Sequence, residues 1–140
     1  MLKKEFEELN HSIIEFYDKL SSWEQSVVKG KHFSLAQTHT IEVLGNHGAM
    51  RMKELANKLG ITTGTLTVQV DKLVNAGFIK RCPHHSDRRS ILVDLTDAGQ
   101  CFYHEHDDLH LALTQDITAN LDKNERAILF TCLSKMNKEF

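Results

Sequence analysis

Apolar side chains recur every three to four residues along the first stretch of the chain. They stand at Phe6, Leu9, Ile13, Ile14, Phe16, Tyr17, Leu20, Trp23 and Val27, and predict an amphipathic helix over residues 3–28. The segment KGKHF interrupts it. Ser34 is placed to cap a second helix over 34–46, with Leu35, Thr38, Ile41, Val43 and Leu44 inward. Residues 46–48 end that helix, and 49–51 can form a short strand. A short helix over 52–59 puts Leu55, Ala56 and Leu59 on one side, and Gly60 stops it as a C-cap, giving a tight turn. Thr62 or Thr63 caps the next helix. It runs to about Asn75 before Gly77, with Leu66, Val70 and Leu73 at i, i+4, i+7 as its buried stripe.

The period then changes. Residues 78–82 and 91–95 alternate like paired strands, with Ile91, Val93 and Leu95 on one face, and the connection 83–90 is polar. Thr96 caps a long helix from 97 to about 118. Residues 120–122 break it, and 123–138 form a last amphipathic helix with Ile128, Leu129, Cys132, Leu133 and Met136. Two short helices joined by a turn and followed by a hairpin make a winged helix-turn-helix. The expected fold class is therefore mainly α with a small β-hairpin wing, flanked by N- and C-terminal helices. The boundaries expected are a single domain over 1–140 with a winged-helix lobe at 34–99 and flanking helices at 1–30 and 100–140. The flanking helices carry apolar faces larger than one small lobe can cover.

Charge sharpens this picture. The chain of 140 residues has a formal net charge of −2, but residues 72–90 hold Lys72, Lys80, Arg81, Arg88 and Arg89 against Asp87 alone. Both ends are acidic. Phosphate binding needs local positive potential rather than a basic whole. Apolar residues make up 41% and charged residues 26%, ordinary for a soluble globular protein, and no run is apolar enough to span a membrane. A cytoplasmic location without membrane partners is expected. Cys82, Cys101 and Cys132 are widely spaced, and they read as two semi-buried small hydrophobes and one surface thiol rather than a disulfide framework.

The chemistry expected is binding, not catalysis. There is no HExxH, no glycine-rich phosphate loop and no nucleophile elbow. On the helix over 62–75, Thr65, Thr67, Val68, Asp71 and Lys72 lie mostly outward. That face is small and hydroxyl-rich, able to approach bases, hydrogen-bond their edges and touch thymine methyls. On the hairpin, Arg88 and Arg89 suit a narrow minor groove or phosphate forks, and Asp87 can fix the direction of an arginine. The alternative is a winged-helix protein-interaction module that does not bind DNA.

The stretches ELANKLGITTGTLTVQVDKLVNAGFIKR and SDRRSILVDLTDAGQ resemble the MarR family of bacterial transcriptional regulators. The resemblance covers essentially the whole chain. It implies a homodimer built by the N- and C-terminal helices, with two lobes on a palindromic double-stranded DNA site, acting most simply as a repressor. By position, it puts Thr63, Thr65, Thr67, Val68 and Lys72 in or beside the major groove. Arg89 becomes the minor-groove arginine of the wing, with Arg88 and Arg81 near phosphates. Val68 stands where many relatives carry a polar or basic residue.

Nine histidines form a second pattern. His106 and His110 are four apart on the long helix, so they share a face and can grip one metal ion. Some family members are zinc-dependent repressors of zinc uptake. Their main site resembles Glu24, His39, His106 and His110 by position, a donor set that suits tetrahedral Zn²⁺. Another branch controls fatty-acid synthesis genes, and the stretches SLAQTHTIEVLG and GTLTVQVDKL resemble it. That branch implies a long acyl ligand in a pocket between lobe and dimer helices. Zinc, an acyl or other small ligand, and no effector at all remain open at this point.

Overall fold

A computed structural model describes residues 1–29, 33–84, 86–87 and 90–140. The element order is α1 (Leu2–Val28), α2 (Leu35–His47), β1 (Met50–Arg51), α3 (Met52–Leu59), α4 (Thr63–Asn75), β2 (Ile79–Pro83), β3 (Ile91–Leu95), α5 (Asp97–Ile117) and α6 (Lys123–Asn137). Each element lies where the hydrophobic period predicts it. The chain divides into two compact units, Met1–Gln100 and Cys101–Phe140, with the boundary inside α5.

The first unit holds the apolar core. A three-stranded antiparallel sheet of order β1-β3-β2 sets Met50 against Val93 and Ile79 against Leu95. Helices α2, α3 and α4 pack on one another, with α2 also against β3 and α4 against β2. Ile41, Leu44, Leu55, Ala56, Leu66, Val70, Leu73, Met50, Ile79, Val93 and Leu95 are all buried. The i, i+4, i+7 stripe of α4 is thus wholly inside. Ile91 lies on the same strand face as the buried Val93 and Leu95 but is itself 53% exposed. It pairs with Pro83 at the far end of the hairpin. Thr40, not expected inside, is fully buried; its hydroxyl donates to the Ala36 carbonyl at 3.0 Å and lies 3.3 Å from the Gln69 side-chain amide.

Local chemistry explains the element ends. Ser34 and Gln37 form a capping box at α2, the Gln37 N–H donating to the Ser34 hydroxyl at 3.2 Å and the Ser34 N–H to the Gln37 amide oxygen at 3.0 Å. Gly60 adopts the left-handed conformation, φ 68°, and the Ile61 N–H reaches back to the Ala56 carbonyl at 3.1 Å. This closes the turn between α3 and α4 in the manner of a Schellman motif. Thr62, rather than Thr63, caps α4 by accepting from the Thr65 N–H at 3.2 Å.

Thr96 does two things. Its hydroxyl accepts from the Gly99 N–H at 3.1 Å, capping α5, and donates to the Gly77 carbonyl at 2.6 Å. The start of α5 is thereby tied to the turn that follows α4. At Gly99, a Cβ would stand 2.2 Å from the Phe78 carbonyl oxygen, a distance no side chain tolerates.

Helix α6 opens with a second capping box, Asp122 and Glu125, which sequence reading took only as a helix break. Neither α1 nor α6 has a buried residue. Cys82 is half-buried, whereas Cys101 and Cys132 are both exposed. The expected count of two semi-buried thiols is corrected to one: Cys82 lies in a strand of the sheet, while Cys101 and Cys132 sit on outward helix positions.

Candidate nucleic-acid interface

The outward face of α4 begins with a ladder of threonines. Thr62 caps the helix and donates its hydroxyl proton to the Thr65 hydroxyl at 3.0 Å. Thr67 turns its hydroxyl back to the Thr63 carbonyl at 2.8 Å. The helix therefore consumes much of the hydrogen-bonding capacity that the sequence seemed to offer outward. Val68 is 56% exposed on the same helix, and Lys72 is exposed one turn later.

Arg81 on β2 forms an ion pair with Asp71 on α4. The family resemblance implies Arg81 near phosphates and the helical period turns Asp71 outward; neither links the two. The contact fixes the guanidinium between helix and wing and balances one positive charge. No signal in the sequence spacing links positions 71 and 81, because the register of β2 against α4 decides it. Lys80 beside it is exposed.

The hairpin narrows beyond β2 through the His84 N–H, which donates to the Ser90 carbonyl at 3.0 Å. Ser86 donates its N–H to His84 Nδ1 at 3.2 Å, and Ser90 donates its hydroxyl to Asp87 at 3.2 Å. Arg88 and Arg89, the expected wing arginines, lie outside the described residues. So does any pairing of Asp87 with either of them.

The four candidate metal ligands are gathered as two pairs, one in each compact unit. In the first, His39 Nε2 of α2 lies 3.5 Å from the Glu24 carboxylate of α1. Glu42, half-buried and three residues further along α2, is a carboxylate that sequence reading passed over. In the second unit, His106 is 1% exposed and stacks parallel to Phe102 with centroids 6.2 Å apart. Its Nε2 stands 3.1 Å from Nε2 of His110. Two imidazole nitrogens at tetrahedral positions on one zinc, each about 2.0–2.1 Å away, would be about 3.3 Å apart. The pair already has nearly that separation, which equally suits an N–H···N bond between neutral rings.

Within the first unit, a cavity of about 310 Å³ is lined by Ala36, His39 and Val43 of α2, Lys58 and Leu59 of α3, Ile61 of the turn and Gln69 of α4. It is mostly apolar, and its size is at the lower end for small-molecule sites. Among the described residues, no helix is long and apolar enough to cross a membrane.

Comparison with known proteins fits this geometry. The family model described as "MarR family" matches residues 33–91. The chain is 30% identical over 106 residues to the uncharacterized HTH-type transcriptional regulator YfiV of Bacillus subtilis, covering 75% of this chain and 66% of that protein. It spans about half to two thirds of the length of the first curated relatives it matches. A MarR family protein from Bacillus stearothermophilus shares the fold at a TM-score of 0.89 and 18% identity, over 99% of this chain and 97% of that one. Streptococcus pneumoniae FabT, solved in complex with DNA, follows at 0.81 and 24% identity, over 95% of each chain. The helix-turn-helix, the three-stranded wing sheet and these matches lead to one assignment: the chain belongs to the MarR family, whose members are winged-helix transcriptional regulators and not enzymes.

Proposed function

We propose that this protein is a sequence-specific DNA-binding repressor that acts as a homodimer on a palindromic operator. The observation that carries the reading is the outward face of α4, small and close to a cationic wing, with Lys72, Lys80 and Arg81 all exposed. Thr63, Thr65, Thr67 and Val68 are near enough to the N-terminus of α4 to meet base edges in the major groove. Lys72 serves phosphates, Arg81 does so by exchanging its exposed ion pair with Asp71 for a phosphate, and Arg89 enters the minor groove. The exposed apolar faces of α1 (Phe6, Leu9, Ile13, Phe16) and α6 (Ile128, Leu129, Leu133, Met136) support the dimer. Without a partner those faces would remain in water.

The test is fluorescence anisotropy on operator duplexes over a range of salt concentrations. Arg89→Ala should weaken binding by about 1–3 kcal/mol, and Lys72→Ala should lower the salt slope by about one. Unchanged affinity and slope for both variants would refute the interface.

An effector tunes this affinity. Zinc is the first candidate, because the His106–His110 separation suits a shared ion and Glu24 with His39 offers a second donor pair. Zinc would be expected to bind the purified protein, and His106→Ala with His110→Ala to abolish that binding. A chelator titration that leaves operator affinity unchanged would dismiss it. The second candidate is a long-chain acyl ligand, for which the apolar cavity beside α4 is the supporting observation.

A further inference from the structure

We propose that α4 reads its operator through methyl groups, and that Val68 selects thymine by its 5-methyl group. This rests on the DNA-binding reading above and deepens it by naming the chemistry of recognition.

Hydrogen-bonded readout of a base edge uses a bidentate arginine or lysine for guanine, or a bidentate asparagine or glutamine for adenine. The first two turns of α4, which meet the bases in a recognition helix, contain none of these in a free state. Gln69 is half-buried, its side-chain amide 3.3 Å from the buried Thr40 hydroxyl. Asp71 is held by Arg81. Lys72 and Asn75 come only in the later turns.

Two of the threonine hydroxyls, those of Thr62 and Thr67, already spend their protons inside the helix. The Thr67 hydroxyl donates to the Thr63 carbonyl at 2.8 Å, and the Thr62 and Thr65 hydroxyls are joined at 3.0 Å. A threonine whose oxygen turns back to the i−4 carbonyl leaves its γ-methyl as the group presented outward. Val68 follows directly, more than half exposed, with two methyl groups and nothing polar. A lone exposed valine signifies little. Here it lies one turn from Thr65 and from Gly64, which has no side chain, on the face proposed to meet DNA. Among the four bases, thymine alone offers a methyl group in the major groove. An apolar face of this kind distinguishes thymine from cytosine by burial of that methyl and excludes water from both.

The experiment begins with a duplex selected from a random pool by the full-length protein. Each thymine is then replaced singly by deoxyuridine, which deletes the methyl and keeps every hydrogen-bonding group. At least one replacement should weaken binding about fourfold, the value of one buried methyl. Val68→Ala should weaken binding to the thymine duplex to a similar extent and show no further loss on the deoxyuridine duplex. Thr67→Ser, which keeps the hydroxyl and deletes the methyl, should lose affinity at its own thymine. If no deoxyuridine position matters, or if Val68→Ala loses the same factor on both duplexes, the methyl readout is overturned while DNA binding stands. If the pool yields no enriched duplex, the DNA-binding reading itself fails and takes this inference with it.

Discussion

Large apolar side chains fill both the α2–β3 region and the terminal helices α1 and α6, but they end in opposite environments. In the first, Leu55, Leu66, Val70, Leu73 and Val93 have no exposed surface at all. In the second, Phe16 is 55% exposed, Ile128 62% and Phe130 74%. The difference is one of closure. Short helices crossing a small sheet surround a volume that one chain can fill, and the polar groups at their ends are capped locally. A long amphipathic helix presents a stripe that needs a second surface. The α2–β3 lobe thus closes its own core, while α1 and α6 leave their apolar area exposed.

Substitutions can break or sharpen that contrast. The largest loss should come from Leu66→Ala, which empties a fully buried site of the lobe. Stability should fall by about 3–5 kcal/mol in urea unfolding. Gly99→Ala comes next, at about 2–3 kcal/mol, because its Cβ would overlap the Phe78 carbonyl and force the start of α5 away from the turn after α4. Leu129→Asp with Leu133→Asp should leave the lobe folded by circular dichroism but raise the dimer dissociation constant about thirtyfold or more in sedimentation equilibrium. An unchanged constant would mean that α6 does not contribute to association. Capping variants compare the two compact units directly. Ser34→Ala and Asp122→Ala should each cost about 1 kcal/mol in thermal unfolding. The smallest effect is expected from Asp71→Asn, below about 1 kcal/mol, since the ion pair with Arg81 is largely solvent-exposed.

The sequence alone determined the element order and the inward stripe of α4. Hydrophobic period, capping residues and the glycine at position 60 act over a few residues, so they can be read without knowing what packs on what. Family-specific patterns around residues 51–99 added the functional class for the same reason: they are local. Gly99 belongs to that legible pattern, but its cause is tertiary, the close approach of the Phe78 carbonyl.

Tertiary structure decided what each polar side chain is free to do. The threonines of α4 read as hydrogen-bonding groups in the sequence, yet Thr67 spends its hydroxyl on its own helix, which moves the expected readout from hydroxyls toward methyls. Arg81 read as a free phosphate contact, yet it is held by Asp71, ten residues earlier and on another element. Thr40 read as unremarkable, yet it is buried beside Gln69. In each case the partner is either one turn back along the backbone or on another element packed against it. Composition and periodicity carry no record of such pairings, because they arise only when the elements are packed.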